Sequence, residues 1–256
     1  MTEAGERVAA FQRTLAQRLS TRTLPTAFGT AYFHDGFPRR YDSNYVWVDA
    51  PLGGVSALML AAEADRAQAE LGHRQLSYVA DGSDTRRLAP ELMSVGYRGE
   101  RLLTMLQTRD PDAWNDDLAE EVGAGDIGTF LVRVNREADG GMHAADAEML
   151  SSFRHVLAER AAARFFVVRD GGEIVAIAEV YTIGDVAQVE AVYTLQAYRG
   201  RGFGRAVVLA GSRAARDAGA DLVFLDADDE DWPKELYGKL GFDEFGRFWS
   251  FVKSPD

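Results

Sequence analysis

The 256-residue sequence contains no cysteine. That excludes a disulfide framework, thiolate metal sites and a cysteine nucleophile. Its four histidines are scattered, with no His-x-x-x-His pair among them, so the helical zinc arrangement is missing and no metal is expected. Basic residues are few beside acidic ones, 28 against 40, which gives a net charge of −12. Nucleic-acid binding rests on a surplus of Lys and Arg, so nucleic acid is not an expected partner. A negative field is instead suited to a cationic small substrate such as an amine. No apolar run approaches the roughly 20 residues needed to span a bilayer, and no membrane partner is expected. The first residues are polar and acidic rather than those of a signal peptide, and the expected location is cytoplasmic.

What is present is ordinary for a folded chain: 46% hydrophobic and 27% charged residues, over a length that suits one large core or two modest ones. Val8, Phe11, Leu15 and Leu19 share one helical face and predict a helix over 3–20. Strands are predicted at 28–33, 44–48, 75–80 and 101–107, and helices at 55–71 and 86–95, each helix closed by a glycine. Residues 108 to 126 are acidic and rich in chain breakers, among them Pro111, Gly123 and Gly125. They read as a linker and place the domain boundary, dividing the chain into 1–125 and 126–256. Beyond it come a predicted strand at 129–134, a helix at 144–159 and a hairpin of strands 164–169 and 173–182 turning at Asp170-Gly171-Gly172. A strand ending at Thr194, a helix at 205–218, a strand at 222–226, a helix from Pro233 to Gly241 and a strand at 245–252 complete the series. A mixed α/β sheet flanked by helices follows.

The most informative stretch is Arg199-Gly200-Arg201-Gly202-Phe203-Gly204-Arg205, between a strand and an alanine-rich helix. Such a turn points unpaired N–H groups outward at the positive end of the helix dipole, and its glycines let an anion approach closely. Spacing decides which anion. The dinucleotide fingerprint Gly-x-Gly-x-x-Gly would put glycine where Arg205 stands, and the Gly-Lys-Ser/Thr ending of a nucleotide-triphosphate loop is absent. A nucleotide-dependent oxidoreductase is therefore disfavoured.

Arg199, Gly202 and Gly204 fit Arg-x-x-Gly-x-Gly, which resembles the pyrophosphate-binding motif of the GNAT superfamily of acyl-CoA-dependent N-acetyltransferases. Downstream, Leu236-Tyr237-Gly238-Lys239-Leu240-Gly241-Phe242 resembles the family's closing helix, Leu-Tyr-x-Lys-Leu-Gly-Phe. The two motifs stand in the family's order, and the resemblance covers 128–252. The first half repeats the rhythm weakly: Tyr45-Val46-Trp47-Val48 lies on Glu190-Ala191-Val192-Tyr193, Asp81 on Asp226, and Val95-Gly96-Tyr97 on Leu240-Gly241-Phe242. It carries Gly53-Gly54-Val55-Ser56 in place of the arginine–glycine loop and Leu92 in place of Tyr237. The expectation is a tandem pair of GNAT-like domains whose N-terminal member has lost the cofactor site.

The resemblance implies that acetyl-CoA is co-substrate, bound where two strands splay. Backbone groups of Val192, Tyr193 and Thr194 would meet the pantetheine arm, and the loop Arg199, Gly200, Arg201, Gly202, Phe203, Gly204, Arg205 the pyrophosphate. It implies direct attack by a substrate amine, with Tyr237 as acid for the leaving thiolate. Glu190 and Asp226 are the two candidate bases. Period-two alternation puts Glu190 on the same face as Val192 and Thr194. Glu179 and Tyr181 are candidates to line the acceptor pocket. Asp228 to Asp231 read as a solvated, helix-capping acidic loop. The acceptor stays open between small-molecule amines and peptide N-termini, and the assembly between monomer and homodimer. A non-catalytic acyl-CoA-binding or regulatory module is the alternative function.

Overall fold

A computed structural model of the chain describes residues 2–114, 116–138 and 144–254. The chain opens with α1 (Glu3–Leu19), β1 (Arg22–Thr26), β2 (Gly29–Phe33), β3 (Tyr45–Val48), α2 (Ala57–Ala67), β4 (Arg74–Ala80), α3 (Ser83–Ser94) and β5 (Arg98–Gln107). It continues with β6 (Ala119–Val122), α4 (Gly128–Ala138), α5 (Ala144–Ala161), β7 (Arg164–Asp170), β8 (Glu173–Ile183) and β9 (Val186–Thr194). The last elements are α6 (Phe203–Asp217), β10 (Leu222–Asp228), α7 (Pro233–Lys239) and β11 (Phe242–Lys253).

These elements form two compact units. The glycine-loop unit comprises Met1–Arg18, Met105–Asp226 and Trp232–Glu244; the companion unit comprises Leu19–Thr104, Ala227–Asp231 and Phe245–Asp256. Compactness thus divides the chain differently from a cut at 125/126. Nearly all of α1 goes with the later segments, and β11 from Phe245 onward goes with the earlier ones.

In the glycine-loop unit the strand order is β10-β9-β8-β7-β6. β6/β7, β7/β8 and β8/β9 are antiparallel, and β9/β10 is parallel after the α6 crossover. Ile127, Phe130 and Leu131 pack on Phe165, Val167 and Ile177 on one face. On the other face α6 comes so near that a Cβ on Gly211 would lie 2.7 Å from Val180. Two predicted elements are corrected here. Residues 129–134 are helix, not strand: Ile127, Phe130, Leu131 and Val134 repeat at i, i+3, i+4, i+7 and bury together, and this period overrides the β-branched composition. The edge strand is β6, within the stretch read as linker; Val122 packs on the core while Glu120 and Glu121 pair with Arg169 and Arg164.

The companion unit repeats the same run. β1/β2 and β2/β3 are antiparallel, β3/β4 is parallel after the α2 crossover, and β11 then adds antiparallel to β4. Its core gathers Phe33, Val46, Leu60, Leu76, Leu88, Leu92 and Phe251. β1 had no predicted counterpart, since Pro25 and its polar neighbours hide an edge strand.

Candidate active site

The site begins where the β9–β10 ladder stops. The parallel register runs Leu222↔Val186, Val223↔Ala187, Phe224↔Gln188 and ends there, although β9 continues to Thr194 and β10 to Asp228. The strands part and leave a wedge. β9 is bent at the same place: Ala191 takes a φ of 50°, and between Glu190↔Glu179 and Tyr193↔Ile177 both Ala191 and Val192 face Ala178. This is a β-bulge, and the extra residue inverts the alternation beyond it. Glu190 therefore shares its face with Tyr193 and Glu179, while Val192 and Thr194 look to the opposite face, toward α6. The expected common face of Glu190, Val192 and Thr194 is overturned by this one inserted residue.

The glycine loop follows. A short 3-10 turn at Gln196–Tyr198 leads to Arg199, then Gly200 at φ 75° and Gly202 at φ 83°, ψ 1°, the residue before α6. Both glycines sit in the left-handed region, where a Cβ is unfavourable. The first helical bond of α6 runs from the Ala206 N–H to the Gly202 carbonyl at 3.1 Å, so the N–H groups of Phe203, Gly204 and Arg205 have no acceptor in the preceding turn. A Cβ on Gly204 would meet Thr194 Oγ1 at 3.3 Å and Leu236 at 3.9 Å, which gathers the end of β9, the start of α6 and α7 at one point. Three guanidinium groups surround the turn. Arg199 donates to the Thr194 carbonyl (3.1 Å), Arg201 pairs with Asp170 (2.8 Å) and lies over Phe203, and Arg205 donates to the Ala113 carbonyl (3.0 Å). N–H groups without a helical acceptor, left-handed glycines and this charge suit an anion the size of a pyrophosphate.

On the opposite sheet face lies a polar cluster. Glu179 is fully buried; Arg154 of α5 donates to its Oε1 at 2.6 Å and the Tyr181 hydroxyl donates to Oε2. Burial, and then the charges of Glu179 and Glu190, push the Tyr181 phenol well above its ordinary range, so it remains a proton donor to Glu179. Next to it, the Gln188 amide donates to Glu190 Oε2 at 2.7 Å and approaches Asp226 Oδ2 at 3.4 Å. Gln12 of α1 donates to the same Asp226 oxygen at 3.1 Å. Glu190 and Asp226, far apart in sequence, are thus linked through a single amide. Gln12, Gln188 and Arg154 are absent from the sequence-based candidates. Gln188 stands two residues before Glu190 on one strand face, a readable signal; Gln12 and Arg154 offer none.

Tyr237 is buried on α7, with its ring edge-on to Phe242 at 6.3 Å. Gly241, at φ 89°, ends that helix where a Cβ would strike the Arg109 carbonyl at 2.1 Å. Tyr193 turns its phenol to Glu137 of α4 at 2.9 Å, so only its backbone faces the wedge. In the companion unit the acidic loop is corrected: Asp229 is not solvated but 4% exposed, with Arg101 and Arg247 each 2.8 Å from its carboxylate. There too, two N–H groups at the start of α2 have side-chain acceptors. Ser56 Oγ accepts from the Met59 N–H (3.3 Å), and the Glu91 carboxylate accepts from the Ala57 N–H (3.5 Å). A carboxylate stands where the glycine loop presents bare N–H groups.

Residues 131–242 match the profile of the acetyltransferase (GNAT) family. No curated protein matches the sequence. Among solved structures, a functionally unknown conserved protein from Staphylococcus epidermidis superposes with a TM-score of 0.68 at 16% identity, over 91% of this chain and 93% of that one. A GCN5-related N-acetyltransferase from Kribbella flavida gives 0.59 at 18% identity, over 100% and 97%. A tandem GNAT protein from the clavulanic acid biosynthesis pathway gives 0.56 at 16%, over 89% and 79%. These likenesses extend over the whole chain and establish the fold of both halves.

Proposed function

We propose that the chain, whose residues 131–242 match the profile of the acetyltransferase (GNAT) family, is an acetyl-CoA-dependent N-acetyltransferase acting on a primary amine. The observation that carries the reading is the wedge between β9 and β10, opening at Gln188/Phe224 beside the Gly202-led start of α6. The pyrophosphate lies on the N–H groups of Phe203, Gly204 and Arg205, with Arg199 and Arg201 adding charge. The pantetheine arm runs along the backbone of Val192 to Thr194 as an added strand would.

In the reaction the amine nitrogen attacks the thioester carbonyl carbon, the new C–N bond forms, and the C–S bond breaks to release coenzyme A. Glu190 and Asp226, held across the wedge, receive the proton that the ammonium form must lose. Tyr237 supplies a proton to the departing thiolate. Tyr181 is no base, because its proton is held. The companion unit, whose α2 start is filled by Ser56 and Glu91, binds no coenzyme A in this reading.

Coenzyme A release from acetyl-CoA with a panel of small amines and peptides tests the proposal. Turnover is expected with at least one amine, and Tyr237→Phe should lower kcat by about 100-fold. Binding of acetyl-CoA without turnover on any amine would instead identify a non-catalytic acyl-CoA-binding module.

A further inference from the structure

Resting on the transferase reading above, we propose that α1 is a working part of the site: Gln12, reaching Asp226 from the N-terminal helix, and Gln188, between Glu190 and Asp226, position the two carboxylates for the acceptor amine. The helix is fastened along β10. Arg7 pairs with Asp221 and Asp185, and Phe11 sets its ring edge-on to Phe224 at 5.2 Å and 89°. Gln12 then lies opposite Asp226, with its amide 3.1 Å from Oδ2. Both glutamines are buried, 7% and 5% exposed, and an amide so placed is costly unless it is hydrogen-bonded. Both direct their NH2 groups to carboxylates.

The choice of side chain has a chemical consequence. A guanidinium at either position would neutralise a carboxylate and oppose an ammonium substrate. An amide fixes the oxygen and adds no charge. Gln188 is also the last residue paired to β10, so its side chain links the two strands at the point where their backbone ladder ends. The α1 contact comes from outside the matched segment 131–242, at the far end of the sequence from Asp226.

Gln12→Met and Gln188→Met keep side-chain volume and remove the donor. Each should lower kcat about tenfold, the scale of a hydrogen bond to a charged group, with the KM for acetyl-CoA and the melting temperature unchanged. In an Asp226→Asn background Gln12→Met should lower kcat little further, since the carboxylate that it positions is no longer there to act. A second readout needs no substrate: the carboxyl-carbon NMR titration of Asp226, whose midpoint should rise in Gln12→Met as a donor to its charged form is lost. Among the described residues, ionisable groups around the cluster include Glu190 on β9, Glu179 and Tyr181 on β8, Arg154 on α5 and Arg7 on α1, and none of these changes in this variant. An impaired Asp226→Asn beside an unimpaired Gln12→Met with an unmoved titration overturns this inference alone. Full kcat in Asp226→Asn overturns the role of the carboxylate itself.

Discussion

Ala191 shows how one residue re-aims a site. Its left-handed φ of 50° costs a side chain with a Cβ about 1 kcal/mol, and the bulge it makes turns Glu190 toward Glu179 and away from Val192. Nothing in the residue types around it announces the bulge; strand alternation is legible in sequence, and its interruption is not. Arg154 is similar. It reads as one more polar residue of α5, yet it gives the fully buried Glu179 carboxylate its cationic partner, at 2.6 Å. Arg154→Ala should destabilise the protein by about 3 kcal/mol, because it strands a buried carboxylate; urea unfolding measures this. Gly241→Ala should cost about 3 kcal/mol from the Arg109 carbonyl and the positive φ together, measured the same way.

At the scale of elements, the motif-bearing pieces were the legible ones. The turn at Gly200–Gly202, the helix closing at Gly241 and the hairpin at Gly171–Gly172 all adopt the positive φ angles that their glycines imply. The elements lost to sequence reading were edges and ambiguous runs: β1, β6 and α4. There, burial against distant partners decides between strand and helix. The junction of α7 and β11 carries a pH signature. Arg109 and Thr108 hydrogen-bond to Asp243 and hold its carboxyl down at about 2. A depressed carboxyl contributes stability above its unfolded value, about 3.9, and loses it as pH falls through the folded value. Asp243→Asn should therefore lower the melting temperature at pH 7, and the difference from wild type should close between pH 4 and pH 2. A constant difference across that window would contradict the assignment.

The whole molecule is a repeat whose two copies share a strand plan and differ in their helix starts. The repeat was visible in Asp81 against Asp226 and in the two Gly-aromatic stops. The interleaving of segments was not, since no local pattern tells α1 or β11 which unit to join. The fragment 126–256 lacks α1 and β6, leaving Phe224 without Phe11 and the edge of β7 unpaired. It should fail to show a cooperative thermal transition, whereas the full chain should show one. Calorimetric titration with acetyl-CoA is the most direct test of the central claim, that the glycine-loop unit alone binds the acyl donor. The account predicts one site per chain, abolished by Gly202→Asp and retained in Gly54→Asp, at the corresponding turn of the companion unit. Two sites per chain, or an unchanged affinity in Gly202→Asp, would contradict it.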